Sequence, residues 1–109
     1  MPRDTGLPPG TLMMVVLRVL MRQPLHGYAI AQTIRTLSRD ELSVEEGSLY
    51  PALQKLLVKG WVKADWRESD SGRRVREYRI TTAGRKQLDA ELVEYRRMSG
   101  AIEWLLKDA

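Results

Sequence analysis

The stretch Ser43-Val-Glu-Glu-Gly-Ser-Leu-Tyr-Pro-Ala-Leu-Gln-Lys-Leu-Leu-Val-Lys-Gly60 carries both a start and a stop signal for a helix. Ser43 followed by Glu46 is the pattern of a capping box, in which each side chain accepts a hydrogen bond from the other residue's backbone N–H. Gly60 supplies the positive φ that commonly ends a helix. The sequence therefore predicts a helix between these two residues.

The predicted helix has one apolar and one polar face. The core side consists of Leu49, Leu53, Leu56 and Leu57. The opposite side carries short polar and basic residues, Ser48, Tyr50, Gln54, Lys55 and Lys59. Such a face suits a recognition helix that contacts base edges in a DNA groove, although an ordinary amphipathic core helix has the same pattern.

Pro51 conflicts with a long uninterrupted helix, because proline lacks an N–H and clashes with the carbonyl four residues before it. If the first turn begins at Gly47 or Ser48, the missing N–H is one of the unpaired donors of that turn. If the helix begins at Val44, we expect a kink at Gly47. The sequence leaves both starts open.

The composition indicates one small domain without enzyme or metal chemistry. A chain of 109 residues builds only a modest core. The absence of cysteine excludes disulfides, thiolate metal sites and a cysteine nucleophile, and the single histidine, His26, leaves little acid–base chemistry. There are no paired carboxylates in a plausible cleft, no nucleophile–base pair and no phosphate loop. We therefore expect no catalytic residues, no metal and no cofactor.

The net charge of +4 favours an anionic partner, and its distribution is more informative than its size. Residues 61–86 hold eight basic against four acidic side chains, an excess equal to that of the whole chain. The basic ones are Lys63, Arg67, Arg73, Arg74, Arg76, Arg79, Arg85 and Lys86.

Residues 1–10 hold three of the five prolines and two of the eight glycines, which predicts a flexible arm. Thr11 is expected to cap the first helix, and nine of residues 12–21 are apolar. This run is too short to span a bilayer and lacks a cleavage site, so we expect a soluble cytoplasmic protein without membrane contact. A helix without a solvent-exposed polar face must pack against other parts of the protein on several sides. We expect a second copy of the chain to cover part of this helix, at Leu12 and Val16.

A second helix is predicted over residues 26–37, with Tyr28, Ala31, Ile34 and Leu37 in phase and His26 as a cap or packing residue. After a short connector the stretch quoted first follows, which completes the order of a helix-turn-helix unit. On either side of Asp70-Ser71-Gly72, the hydrophobic period then changes to two residues, the period of a β-strand. This pattern predicts a β-hairpin with a basic tip. A hairpin after a third helix is the wing of a winged helix.

Thr81 or Thr82 is expected to cap a long last helix that ends near Lys107. Apolar residues recur along it at heptad-like spacings and form a seam that predicts a homodimer. The seam residues are Leu88, Leu92, Tyr95, Ile102 and Leu106. The expected architecture is mainly α with a small β-hairpin: an arm (1–10), a winged helix-turn-helix domain (11–82) and a dimerisation helix (83–109).

Four segments stand in the order and approximate spacing of PadR-family transcriptional regulators. They are His26-Gly-Tyr-Ala-Ile30, Gly47-Ser-Leu-Tyr-Pro-Ala-Leu53, Gly60-Trp-Val62 and Tyr78-Arg-Ile-Thr-Thr-Ala-Gly-Arg85. The chain resembles the short PadR subgroup, from about residue 11 to residue 107. It departs from the family in lacking the proline that many members have before the basic pair of the wing. No segment follows the last helix, so we expect no separate C-terminal domain.

The resemblance implies a dimeric winged-helix repressor of a palindromic DNA operator, released in some members by a small ligand. It also implies that Ser48, Tyr50, Lys55, Arg73, Arg74 and Arg76 face DNA. Two alternatives stay open. The leucines of residues 49–57 would also serve a protein-interaction module without DNA readout. Trp61, Trp66 and Trp104 are candidates to line a small-molecule pocket at the dimer interface, although aromatic residues at such spacings are more often core.

Overall fold

The computed structural model describes residues 7–107, which form four helices and a three-stranded antiparallel sheet. The elements in chain order are α1 (Pro9–Leu20), β1 (Leu25–His26), α2 (Gly27–Leu37), α3 (Glu46–Val58), β2 (Val62–Glu68), β3 (Arg74–Ile80) and α4 (Thr82–Lys107). The predicted winged helix-turn-helix with a long last helix is therefore confirmed.

Helix α1 is the centre of the core, because α2, α3, α4 and β3 all contact it. The prediction that it must be covered on several sides is confirmed, but the cover comes from its own chain. The exposed fraction of the residue is 4% at Leu12, 0% at Val16 and 2% at Leu88 of α4. These three side chains cannot offer a surface to a second copy, so their assignment to a dimer interface is wrong.

The predicted cap residues of α1 and α3 are wrong, and the start of α3, which the sequence left open, lies at Glu46. Helix α1 begins at Pro9, with Pro8 at its N-cap position, so Thr11 lies inside the helix. Proline suits the first turn because its missing N–H would have no partner there. The end of the predicted arm therefore belongs to α1, while residues 1–6 lie outside the described part of the chain.

Helix α3 begins at Glu46, and Glu45 occupies the N-cap position without a side-chain cap hydrogen bond. Ser43 lies two residues before that position and is not the cap. Pro51 is the sixth residue of the helix, so only the hydrogen bond from its position to the carbonyl of Gly47 is lost. Gly60, with φ +73°, follows the C-cap residue as predicted.

Helix α2 is capped by His26, whose Nδ1 accepts a hydrogen bond of 3.3 Å from the backbone N–H of Ala29. The prediction of a capping histidine is confirmed. The predicted inner face is partly wrong, because Ile30 and Ile34 are buried whereas Tyr28 and Leu37 are exposed. Two isoleucines one turn apart fix the buried side, and Tyr28 then turns toward solvent.

The sheet has the order β1-β3-β2, and β2 pairs with β3 from Val62↔Ile80 to Glu68↔Arg74. The turn lies where it was predicted: the N–H of Ser69 donates to the carbonyl of Arg73 at 2.7 Å, and Gly72 has φ +82°. Strand β1 was not predicted, because two residues are too few for any periodicity to be read from them.

Thr81 joins the base of the wing to the start of α4. Its hydroxyl donates to the carbonyl of Gly60 at 2.7 Å and accepts from the N–H of Gly84 at 3.0 Å, which confirms the predicted cap. Gly84 permits this close approach, since a Cβ there would lie 2.1 Å from the carbonyl oxygen of Trp61. Beyond Leu92, nearly every described side chain of α4 is exposed.

Candidate nucleic-acid interface

Helix α3 divides its residues between core and solvent as the sequence predicts. Leu49, Leu53 and Leu56 are buried, and Leu57 is partly buried. Because these leucines hold the domain together, they are not available to dock a partner protein, which removes the basis of that alternative. The four candidate DNA contacts of this helix, Ser48, Tyr50, Gln54 and Lys55, are all exposed.

The wing, which consists of β2, β3 and their turn, has two chemically different faces. Side chains alternate along each strand, and the register places Val62, Ala64 and Trp66 on the same face as Tyr78 and Ile80. This inner face is buried at its base, where Val62, Tyr78 and Ile80 pack on the core. Farther from the core the same face carries Trp66, Glu68, Arg74 and Arg76.

On the outer face of the wing, arginines are paired with carboxylates. Arg79 contacts Asp65 with an N–O distance of 3.1 Å, and Arg67 contacts Glu77 at 3.7 Å. Both pairs are substantially exposed, so each contributes little to stability. Their importance here is that they neutralise positive charge on this face.

On the inner face, arginines lie over aromatic rings. The guanidinium of Arg74 is 5.0 Å from the ring centre of Trp66, and that of Arg76 is 5.9 Å from the ring centre of Tyr78. Burial raises the pKa of Tyr78, although Arg76 opposes this shift, so the Tyr78 hydroxyl stays neutral. Neither Arg74 nor Arg76, nor Arg73 in the turn, makes an ion pair with any residue between 7 and 107. Even with Glu68 opposite Arg74, the three arginines leave this face with a net positive charge that can meet an anion.

The inner face of the wing and the first turns of α2 and α3 enclose an open groove of about 770 Å³. It is lined by His26, Gly27, Tyr28, Glu46, Tyr50, Trp66, Ser69, Ser71, Arg73, Arg74, Val75, Arg76 and Tyr78. The groove brings Tyr50 of the third helix together with all three candidate arginines of the wing. Tyr50 is separated from these arginines by more than twenty positions in the sequence.

The remaining candidates of α3 lie on other parts of its exposed side. Ser48 and Lys55 line a smaller cavity of about 200 Å³ beside the start of α1. Gln54 lies one turn after Tyr50, between the two cavities. The candidate contacts therefore form a strip across the outward face of α3 that continues onto the wing.

Sequence reasoning missed the contribution of α2 and of Trp66 to this surface. Tyr28 is exposed, and its hydroxyl accepts a hydrogen bond of 2.9 Å from Nε2 of Gln32. Its ring stacks at 6.5 Å on that of His26. The alternation of Val62, Ala64 and Trp66 was a signal that Trp66 shares a face with the core. That it lies beside Arg74 depends on the strand register, which the sequence does not give.

Within residues 7–107, the three tryptophans lie at different places. Trp66 lines the groove, whereas Trp61 lines a separate cavity of about 220 Å³ between α1 and α4 and lies under the ammonium of Lys59 at 5.0 Å. Trp104 is 75% exposed near the end of α4.

No helix within residues 7–107 is long and apolar enough to cross a membrane. In the same part of the chain, no three His, Cys, Asp or Glu side chains are grouped so that they could hold a metal ion.

Solved structures of similar proteins have the same fold. A protein from Streptococcus mutans matches with a TM-score of 0.82 and 26% identity, covering 98% of this chain and 94% of that one. A PadR family transcription regulator from Clostridium difficile matches with a TM-score of 0.76 and 26% identity (89% and 99% covered). A PadR family transcriptional regulator from Eggerthella lenta matches with a TM-score of 0.75 and 29% identity (89% and 82% covered).

The model of the transcriptional regulator PadR-like family matches residues 16–90, which run from the middle of α1 into α4 and include the whole groove. This match covers more than half of the chain and agrees with the fold and with the net positive charge of the inner face of the wing. The family consists of transcriptional regulators and not of enzymes, as the sequence predicts. The chain belongs to the PadR-like family and is a DNA-binding transcriptional regulator.

Proposed function

We propose that the protein is a homodimeric repressor that binds a palindromic operator, with α3 in the major groove and the wing along the phosphate backbone. The observation that carries this proposal is the continuous exposed surface from Gln54 and Tyr50 to Arg73, Arg74 and Arg76. Its α3 part offers an amide, a hydroxyl and the ammonium of Lys55, groups that can bond base edges or phosphates. Its wing part offers cations without carboxylate partners, which suit phosphates.

The far half of α4 supports a dimer. Tyr95, Ile102 and Leu106 lie on one side of the helix and are 52%, 47% and 65% exposed. Leu92, on the same side, packs partly against the core, so the exposed seam continues from the core of the domain. An isolated chain would leave this apolar seam in water, and the same seam of a second copy is its natural cover.

A two-fold dimer presents two copies of α3 and therefore binds an operator with two-fold symmetry. Its half-sites are expected about one helical turn apart, roughly 10 base pairs from centre to centre.

We further propose a small-molecule effector, with Trp104 as its candidate contact. This indole is exposed on the helix assigned to dimerisation, so a pocket around it would have to be completed by a second chain. Aromatic rings suit flat hydrophobic ligands, and such a ligand would release DNA if it bound the DNA-free form of the dimer more tightly.

Selection from a random-sequence DNA pool tests the proposal. The full chain should enrich one palindromic sequence, and it should bind a duplex of that sequence at least about a thousand times more tightly than a scrambled duplex at physiological salt. Deletion of the gene should raise transcription next to the genomic copies of that sequence. Enrichment of no sequence would overturn sequence-specific binding, and a fall in transcription after deletion would overturn repression.

A further inference from the structure

Gly47 stands where the fold does not require a glycine. It is the second residue of α3, it is exposed, and its φ is not positive. Apart from its own turn of helix, a Cβ at this position would meet no atom within 4 Å. Glycine is among the poorest helix formers, so the isolated domain would gain from alanine here.

Among the described glycines, four have a visible internal reason, whereas Gly10 and Gly100, like Gly47, have none. A Cβ at Gly27 would lie 2.7 Å from the hydroxyl oxygen of Tyr50, and one at Gly84 would lie 2.1 Å from the carbonyl oxygen of Trp61. Gly60 and Gly72 have positive φ. Gly47 shares none of these constraints.

The position of Gly47 on the helix suggests a reason outside the chain. An α-helix turns by about 100° per residue, which places Gly47 between Gln54 and Pro51 around the helix axis. Gly47 also lies one turn before Tyr50, close to the middle of the exposed side. Ser48 and Lys55 flank this strip on the side of α1, and Tyr50 flanks it on the side of the wing. Gly47, which has no side chain, is therefore surrounded by the candidate DNA contacts.

We propose that Gly47 is the point where the backbone of α3 comes closest to DNA, and that its missing side chain makes room for the wall of the major groove. This inference rests on the proposed docking of α3 in that groove. A methyl group at Gly47 would hold the helix away from the DNA by part of a van der Waals diameter. The hydrogen bonds made by Gln54 and Tyr50 would then be stretched, and such bonds weaken steeply with distance and angle.

Gly47→Ala tests the inference because its effects on folding and on binding should have opposite signs. The melting temperature should stay the same or rise, while affinity for the selected operator duplex should fall by about tenfold or more. Gly10→Ala is the matched control, since Gly10 is the second residue of α1 and a Cβ there also meets nothing within 4 Å. This control should leave operator affinity unchanged.

Two results would overturn the inference. Unchanged operator affinity in Gly47→Ala would show that the DNA leaves room for a side chain there, and a lowered melting temperature would show that the glycine serves the fold. Gln54→Ala and Lys55→Ala show whether a negative result refutes only the role of Gly47 or also the proposed docking of α3 on DNA. If they weaken binding and Gly47→Ala does not, α3 still contacts DNA and only the role of Gly47 is refuted. If none of the three weakens binding, the docking of α3 itself is refuted.

Discussion

The ring of Tyr50 lies against the backbone of Gly27, so that a Cβ on Gly27 would come within 2.7 Å of the Tyr50 hydroxyl oxygen and 3.0 Å of the ring carbon that bears it. This contact fixes the first turns of α3 on the start of α2. The ring is nevertheless 45% exposed and lines the groove beside the wing. One aromatic residue thus connects the packing of two helices with the surface assigned to DNA.

Gly27→Ala should destabilise the domain, because the added methyl group must displace the Tyr50 ring. The free energy of unfolding should fall by about 1–3 kcal/mol, the usual effect of overpacking. Urea denaturation of four variants checks this: the wild type, Gly27→Ala, Tyr50→Ser and the double variant. Alanine at position 27 should be much less destabilising when Tyr50 is serine. An equal loss in both backgrounds would mean that another contact rejects the methyl group.

Tyr50→Phe removes the hydroxyl and keeps the ring. The hydroxyl makes no hydrogen bond within the described chain, so the melting temperature should not change. If this hydroxyl donates to a phosphate, operator affinity should fall by about 0.5–1.5 kcal/mol, the net value of one hydrogen bond. Unchanged affinity together with a lowered melting temperature would instead assign the hydroxyl to the packing of α2 and α3.

The fold could be predicted because its signals are local. Gly60, Thr81 and the turn at Asp70-Ser71-Gly72 each set a boundary through the conformation or the hydrogen bonds of a few neighbouring residues. The errors at Thr11 and Ser43 have a common cause. Capping residues are frequent, and which one is used depends on where tertiary packing starts the helix.

The site could be predicted only as separate pieces. Exposure of Tyr50 and of the wing arginines follows from the periodicity of each element. Their meeting in one groove depends on the register of β2 with β3 and on the contact between Tyr50 and Gly27, both of which are long-range. The same limitation explains the error at Leu12, Val16 and Leu88, since the sequence shows that a side chain is apolar but not which surface covers it.

The wing should supply affinity without sequence preference. Arg73→Ala combined with Arg74→Ala should weaken binding to operator and scrambled duplexes alike. The slope of log affinity against log salt should become shallower by nearly one unit for each lost phosphate contact. Arg67→Ala combined with Arg79→Ala is the matched control, because these arginines of the same hairpin are already paired with Glu77 and Asp65. This control should change the slope much less.

The roles assigned to helix and wing would be reversed by one result of that experiment. A loss confined to the operator, with scrambled DNA bound as before, would mean that Arg73 or Arg74 contacts base edges. Equal changes of slope in both double variants would mean that carboxylate pairing does not distinguish the two faces of the wing.

The seam on α4 should hold the dimer. Ile102→Asp combined with Leu106→Asp should yield a folded monomer, because both side chains are exposed in the single chain and their replacement would bury unpaired charge only at the interface. Sedimentation velocity at micromolar concentration measures the mass, and circular dichroism checks the fold. Val93→Asp, on another side of the same helix and also exposed, should leave the dimer intact. A wild-type monomer, or a double variant that remains dimeric, would contradict the assignment of this seam.

Hydroxyl-radical footprinting on the selected operator tests most directly whether this surface binds DNA as a symmetric pair. We expect two equivalent protected regions related by a two-fold axis, with centres about 10 base pairs apart on one side of the duplex. Gln54→Ala should weaken both regions equally. A single unsymmetrical protected region, or protection of scrambled DNA at the same protein concentration, would contradict the account.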